Sequence, residues 1–197
     1  GSVICTDPKG ENHAITARAR RQFGPVYCIN VGDPDRSHRF NPMDALSRHP
    51  LKAVDDCRRL AELLMPKDAR NEDDHWRKRS VSILTGIILF VVDHYGDDAE
   101  RCNLATVDGI LAAPPAELAD TLKMMAASRQ VVVRSVAGRL ATSLASEEGL
   151  NHLSNLAKGT EIWGEGFVLG RLARRSDFNL ETDIVAKVGS LFISVPE

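Results

Sequence analysis

Asp7-Pro8-Lys9-Gly10-Glu11 brings two carboxylates and one ammonium into five residues, with Pro8 and Gly10 shaping the backbone between them. At that spacing Asp7 can orient a water or a neighbour of a metal-bound phosphate. Lys9 can meet a phosphate as a point charge, and Glu11 suits a helix start. The same residues also make an ordinary turn, in which Pro8 and Gly10 bend the chain and Glu11 answers the helix dipole. Further along, cations cluster as Arg77-Lys78-Arg79, as Arg129, Arg134 and Arg139, and as Arg171, Arg174 and Arg175. Each cluster is either a candidate substrate or DNA contact or a solvated helix face. Asp73-Asp74-His75-Trp76 admits a metal site or an aromatic nucleic-acid contact. It reads more simply as an acidic helix start with Trp76 entering the core. Met43, Met65, Met124 and Met125 are expected to fill core gaps.

Much chemistry is excluded. There is no GxxxxGK[ST], "GEGFVLG" lacks the Lys and hydroxyl that hold phosphate and magnesium, and no apolar strand ends in paired acids. The chain alone is therefore expected not to hydrolyse a nucleotide. His13, His38, His49, His94 and His152 have no partners at catalytic spacing, and no catalytic residue is assigned. Cys5, Cys28, Cys57 and Cys102 show no ligand spacing, so reduced thiols without a metal are expected. The net charge is −2, and acids and bases nearly cancel across residues 51–175, so a nucleic-acid contact must be local. The longest uncharged run, residues 80–92, is shorter than the roughly 18 residues a bilayer requires.

These residues need elements to hold them. Short β-branched runs predict strands near 3–6, 26–31 and 190–195, continuous enough to be buried on both faces of a parallel sheet. "ENHAITARARRQFG" between the first two predicts a helix and a βαβ crossover. Residues 32–50 read as a long irregular connection. From Leu51 the pattern becomes helical: an amphipathic segment stopped by Pro66, then a long helix capped by Asn71 or Asp73 and apolar nearly all round in its second half. About six helices are expected to Ser176. The fold class is thus α/β with a large all-α insertion: residues 1–50 and 177–197 form a partial sheet domain, and 51–176 form a helical bundle. Three strands are few for a parallel sheet covered on both faces, which points to a piece of a larger protein.

The strand running into Asp7–Glu11, "TARARRQFG" with the next strand, Phe40-Asn41-Pro42 followed by Leu46, and the closing "SDFNL…SLFISVP" occur together in this order. In this the chain resembles the type IV secretion coupling proteins, ATPases that deliver DNA and proteins to conjugative and effector-secretion channels. The middle of the chain matches in layout more than in letters. The resemblance implies a partial RecA-like, P-loop nucleotide-binding domain and an all-alpha domain that recognises a relaxase–DNA complex or an effector protein. It also implies a hexameric parent, anchored in the bacterial inner membrane with this part on the cytoplasmic face. ATP and Mg would serve the parent, whose phosphate loop and second acidic motif are absent here, leaving Asp7, Lys9 and Glu11 at the rim of a nucleotide pocket. DNA contact is expected to be weak and non-specific. The alternative is a helical adaptor-binding module for secretion chaperones, with no DNA contact.

Overall fold

The computed structural model describes residues 1–66 and 75–195. β1 (Val3–Thr6), α1 (Glu11–Arg20) and β2 (Val26–Asn30) open the chain, and β3 (Ser190–Ser194) closes it. The sheet order is β1-β3-β2, with β3 parallel to both neighbours and Phe192 facing Cys5 on one side and Cys28 on the other. The crossover through α1 therefore skips a position, and the last strand fills it. Burial follows from this order. β3 is the most enclosed strand, whereas β1 alternates and leaves Ile4 62% exposed. Among the described residues, burial on both faces is found in β3, whereas β1 leaves alternate residues exposed and β2 is mostly half-buried, which corrects the expectation for those two strands.

Residues 31–49 are irregular apart from short 3₁₀ turns at Pro34–Arg36 and Pro42–Ala45. The helical series runs α2 (Pro50–Leu64), α3 (His75–Tyr95), α4 (Leu104–Ala112), α5 (Pro115–Ala126), α6 (Val131–Leu144), α7 (Glu147–Thr160) and α8 (Val168–Leu172). Local chemistry sets the boundaries. Pro50 and Pro115 occupy first-turn positions where a missing N–H costs nothing. Asn103 and Ser146 cap α4 and α7 by accepting from the Thr106 and Gly149 amides. The expected cap at Asn71 or Asp73 lies outside the described residues.

Three expectations in this region change. The count is seven rather than about six among the described residues. The last helix, expected from residue 165 to 176, shrinks to five residues, because the chain doubles back so closely that a Cβ on Gly170 would overlap the Gly164 carbonyl. Met43 and Met125 are fully buried, but Met124 is 42% exposed on the outward face of α5. Trp76 does not enter the core either: it sits on the first turn of α3, ahead of the apolar section, and is 43% exposed.

α3 is the centre of the large core. From Ser80 to Val92 only Ser82 escapes burial, and the helix packs against α2, α4 and α6. Gly86 allows α6 to approach closely, since a Cβ there would lie 2.5 Å from Val136 Cγ2. Met43 and Leu46 of the connection pack with the helices. A smaller cluster of Phe178, Ile184 and Leu191, with Tyr27, Ile29 and Phe40 against it, lies under the sheet. Between α8 and β3 the chain makes a π-helical turn, Leu180–Val185, and then passes through Val188 at φ 55°. No described helix is long and apolar enough to cross a membrane.

Candidate functional site

The loop after β1 turns tightly, with the Gly10 amide donating to the Asp7 carbonyl at 2.9 Å. Gly10 stands at φ 71°, in the left-handed region that favours glycine, and caps α1 without a side chain. Asp7 supplies what Gly10 cannot. Its Oδ1 accepts from the Asn12 amide at 3.2 Å and from Asn12 Nδ2 at 3.3 Å, while Oδ2 accepts from the His13 amide at 2.8 Å. The carboxylate is 2% exposed, so its negative charge faces the positive end of the α1 dipole. Lys9 and Glu11 remain exposed.

Lys9 borders a cleft of about 520 Å³ with Pro8, Gly10, Asn30, Gly32, Asp33 and Ser194, all at the carboxyl ends of the three strands. That is where open parallel sheets bind ligands. The cleft is tied together by Ser194 Oγ donating to the Pro8 carbonyl at 3.2 Å. Asn30 Oδ1 accepts from the Gly32 and Asp33 amides at 3.0 and 3.2 Å. Asp7 and Asn30 thus occupy backbone amides that would otherwise be free for an anion. One ammonium and one carboxylate remain, and these do not by themselves form a cradle for a triphosphate.

Phe40-Asn41-Pro42 lies elsewhere. It joins the sheet to the helices. Asn41 is 1% exposed, with Nδ2 donating to the Cys102 carbonyl at 2.8 Å and to Asp44 at 3.2 Å, and Oδ1 accepting from the Met43 amide at 3.0 Å. Its own amide donates to Ser176 Oγ at 3.0 Å. Beside it, Arg39 grips Asp177 through its side chain, at 2.7 Å for the shortest contact, and through its backbone amide at 2.8 Å. These bonds hold the Asp177 carboxyl below the usual range. Phe40, Phe178 and Tyr27 stack at centroid spacings of 5.4 and 4.6 Å. The two segments "RFNP" and "SDF" are therefore partners across the fold.

The helices bring the scattered cations together. Lys78 and Arg79 of α3 and Arg134 and Arg139 of α6 line one groove of about 800 Å³, with His75, Ser82, Ser135, Thr142, Ser143 and Ser146. Among the described residues the lining holds no carboxylate, but Glu148 lies 3.7 Å from Arg79 Nη1. Two of the guanidinium groups are held in place. Arg79 Nη2 donates to Ser143 Oγ at 3.0 Å, and Arg134 Nη1 donates to the Ser128 and Arg129 carbonyls at 2.8 and 2.9 Å. Arg77 and Arg129 do not line the groove. Arg77 Nε donates instead to the Met65 carbonyl at 2.7 Å. Arg174, of the third cluster, pairs with Glu100 and Glu165.

Ser82, Ser135 and Thr142 escaped the sequence reading, although Ser135 and Thr142 fall at helical spacing with Arg139 on α6, and Ser82 with Lys78 on α3, so that signal was available. No sequence signal paired Ser80 with His152, which lie on different helices. Their side chains are 3.0 Å apart from Ser80 Oγ to Nε2. His152 is 4% exposed, and burial together with the nearby Arg79 charge holds it below the usual histidine range. The cysteines are all free. Burial pushes the Cys57 thiol up to about 12, out of reach of nucleophilic chemistry at neutral pH.

Comparison with known proteins extends across this architecture. Residues 1–196 match the family described as Type IV secretory system Conjugative DNA transfer. Two Escherichia coli relatives, each described as conjugal transfer protein TraG, are similar to it. One is 27% identical over 186 residues, 91% of this chain and 29% of the relative. The other is 31% identical over 115 residues, 57% of this chain and 18% of the relative. The chain thus spans less than a third of the length of the relatives it matches. The match runs from the Asp7 loop to β3 and takes in both the sheet and the helices, so the chain belongs to the type IV secretory conjugative DNA transfer family.

Proposed function

We propose that this chain is the substrate-handling portion of a coupling protein. In this reading the three strands belong to a larger RecA-like sheet, and the helical series is an all-alpha domain that recognises a relaxase–DNA complex or an effector protein for export. The parent is a hexameric motor at the cytoplasmic face of the inner membrane. ATP and Mg bind mainly through parts of the parent outside this chain, with Asp7, Lys9 and Glu11 at the pocket rim. Asp7 would act there by holding the loop, and Lys9 by offering its charge.

The observation that supports the recognition role is the α3/α6 groove, in which Arg134 and Arg139 of α6 join Lys78 and Arg79 of α3 on one surface. Such a surface suits a chain of phosphates, and the binding it predicts is independent of sequence and sensitive to salt. In a gel-shift titration the chain should retard DNA weakly at low salt. The combined substitution R134E and R139E should reduce affinity at least about tenfold and lower the salt slope by about one to two. A sequence-specific footprint would contradict this reading. Loss of every shift with retention of a secretion chaperone in a pull-down would favour the adaptor-binding reading.

A further inference from the structure

Arg79 stands where the groove meets α7. Its Nη2 is held from α6 by Ser143 Oγ at 3.0 Å, and its guanidinium lies 5.8 Å from the ring centroid of Trp76 on its own helix. The third neighbour is an acid: Glu148 Oε1 lies 3.7 Å from Nη1. That separation makes an ion pair but is too long for a hydrogen bond, so it does not commit the Nη1 protons. The Arg79 side chain is 32% exposed and that of Glu148 is 73% exposed. Arg79 is the fixed member of the pair, and Glu148 is the one that can swing.

Glu148 has another source of stabilisation when it does. It lies in the first turn of α7, which Ser146 caps by accepting from the Gly149 amide at 3.1 Å. A carboxylate there is favoured by the helix dipole whether or not it touches Arg79. Releasing it costs only the pair, and an exposed pair shifts an equilibrium by no more than about fivefold. A phosphate offers the guanidinium more, because two of its oxygens can meet the planar fork together. The contact is thus strong enough to lower affinity and weak enough to yield. His152 senses the same two charges. Burial and then Arg79 hold its pKa below the ordinary value, while Glu148 pulls it the other way.

We infer that Glu148 is an autoinhibitory residue of the α3/α6 groove: it screens Arg79 in the free protein, and a phosphate-bearing ligand must displace it to engage Lys78, Arg79, Arg134 and Arg139 together. This rests on the groove being the phosphate contact proposed above. The test measures fluorescence anisotropy of labelled DNA across a salt series, with inorganic polyphosphate as competitor. Glu148→Gln, nearly the same in shape, should tighten DNA binding about three- to fivefold at low salt. It should also steepen the salt slope by up to about one, because one more cation then meets phosphate unscreened. Polyphosphate should compete more strongly by a similar factor, since it offers phosphates without bases. Glu148→Asp, which keeps the charge, should stay closer to wild type. Glu147→Gln, on the same cleft but outside this contact, should change affinity by less than about twofold. In an Arg79→Gln background Glu148→Gln should have no effect, since the group it releases is gone. Equal affinity and slope in wild type and Glu148→Gln would overturn the inference, as would equal gains from Glu147→Gln, a gain confined to DNA, or one that persists without Arg79. If R134E and R139E abolish DNA binding while Glu148→Gln leaves it unchanged, the autoinhibitory role alone falls. If the wild type binds neither DNA nor polyphosphate, the groove reading falls with it.

Discussion

Asp7 shows how a residue with chemical potential can be committed to architecture. Its carboxylate accepts from the Asn12 and His13 amides, and it does so from three positions before the Gly10 cap. Asp7→Ala should therefore leave two first-turn amides without their acceptor and cost about 1–2 kcal/mol, read as a lower midpoint in chemical denaturation. The sequence showed that the loop should begin a helix, but it could not show which acid would do the capping. Glu11, the obvious candidate by position, stays exposed. His152 gives a second expectation, in pH. Its folded pKa lies below the ordinary 6.5, first through burial and then through Arg79, against weaker opposing pulls from the Trp76 backbone and Glu148. The unfolded chain then binds the proton more readily, so stability falls as pH drops through 6.5 toward the folded value. Melting temperatures followed from about pH 8 to about pH 5 should decline less in His152→Gln than in wild type. His13 shifts in the same direction, so the difference between the two proteins is the informative quantity. Equal slopes would show that His152 is not the group responsible.

At the level of elements, the groove depends on how closely α3 and α6 approach, and Gly86 sets that distance. An added Cβ would meet Val136 Cγ2 at 2.5 Å and Val136 Cβ at 2.6 Å, both on the side of the helix that cannot yield to solvent. Gly86→Ala gains helix propensity but overpacks this contact. The net expectation is destabilisation by about 1–3 kcal/mol, measurable by denaturation. Helical periodicity made α2, α3, α5 and α6 legible because each buries a continuous face or, in α3, nearly its whole second half. The short α8 and the π-helical turn at Leu180–Val185 were not legible, since tertiary close approach rather than local pattern determines them. Val188, at φ 55°, is the clearest cost of that geometry, because a β-branched side chain is disfavoured there. It is 37% exposed, so little packing would be lost with its side chain. Val188→Gly is expected to raise stability by about 1 kcal/mol. A lower melting temperature would mean that Val188 packing outweighs its backbone strain.

Across the whole molecule, the fold relies on a junction whose parts are far apart in sequence. β3 takes the central position of the sheet from the far end of the chain, and the segment before it is anchored by Asp177 to Arg39 and by Ser176 to Asn41. Periodicity located the strands, but the order β1-β3-β2 depends on pairing between residues more than 160 positions apart, which no local pattern encodes. Asn41 is the residue on which this junction most depends. It bonds through its side chain to the Cys102 carbonyl just before α4 and to the Met43 amide, and through its backbone amide to Ser176 on the return to the sheet. The Arg39–Asp177 pair beside it is partly exposed, so its own contribution should be near 1 kcal/mol and should diminish in salt. Asn41→Ala removes the side-chain bonds to Cys102, Asp44 and Met43 and leaves the Cys102 carbonyl unpaired, while its backbone amide can still reach Ser176, for an expected loss of about 2–3 kcal/mol. The informative readout is local. Amide exchange should accelerate in β3 and around Asn103 together, while the centre of α3 between Ile83 and Val91, buried by helices alone, should retain more of its protection. If only the Pro42–Ala45 turn loosened, Asn41 would be a local cap rather than the link that makes the sheet and the helices one cooperative unit.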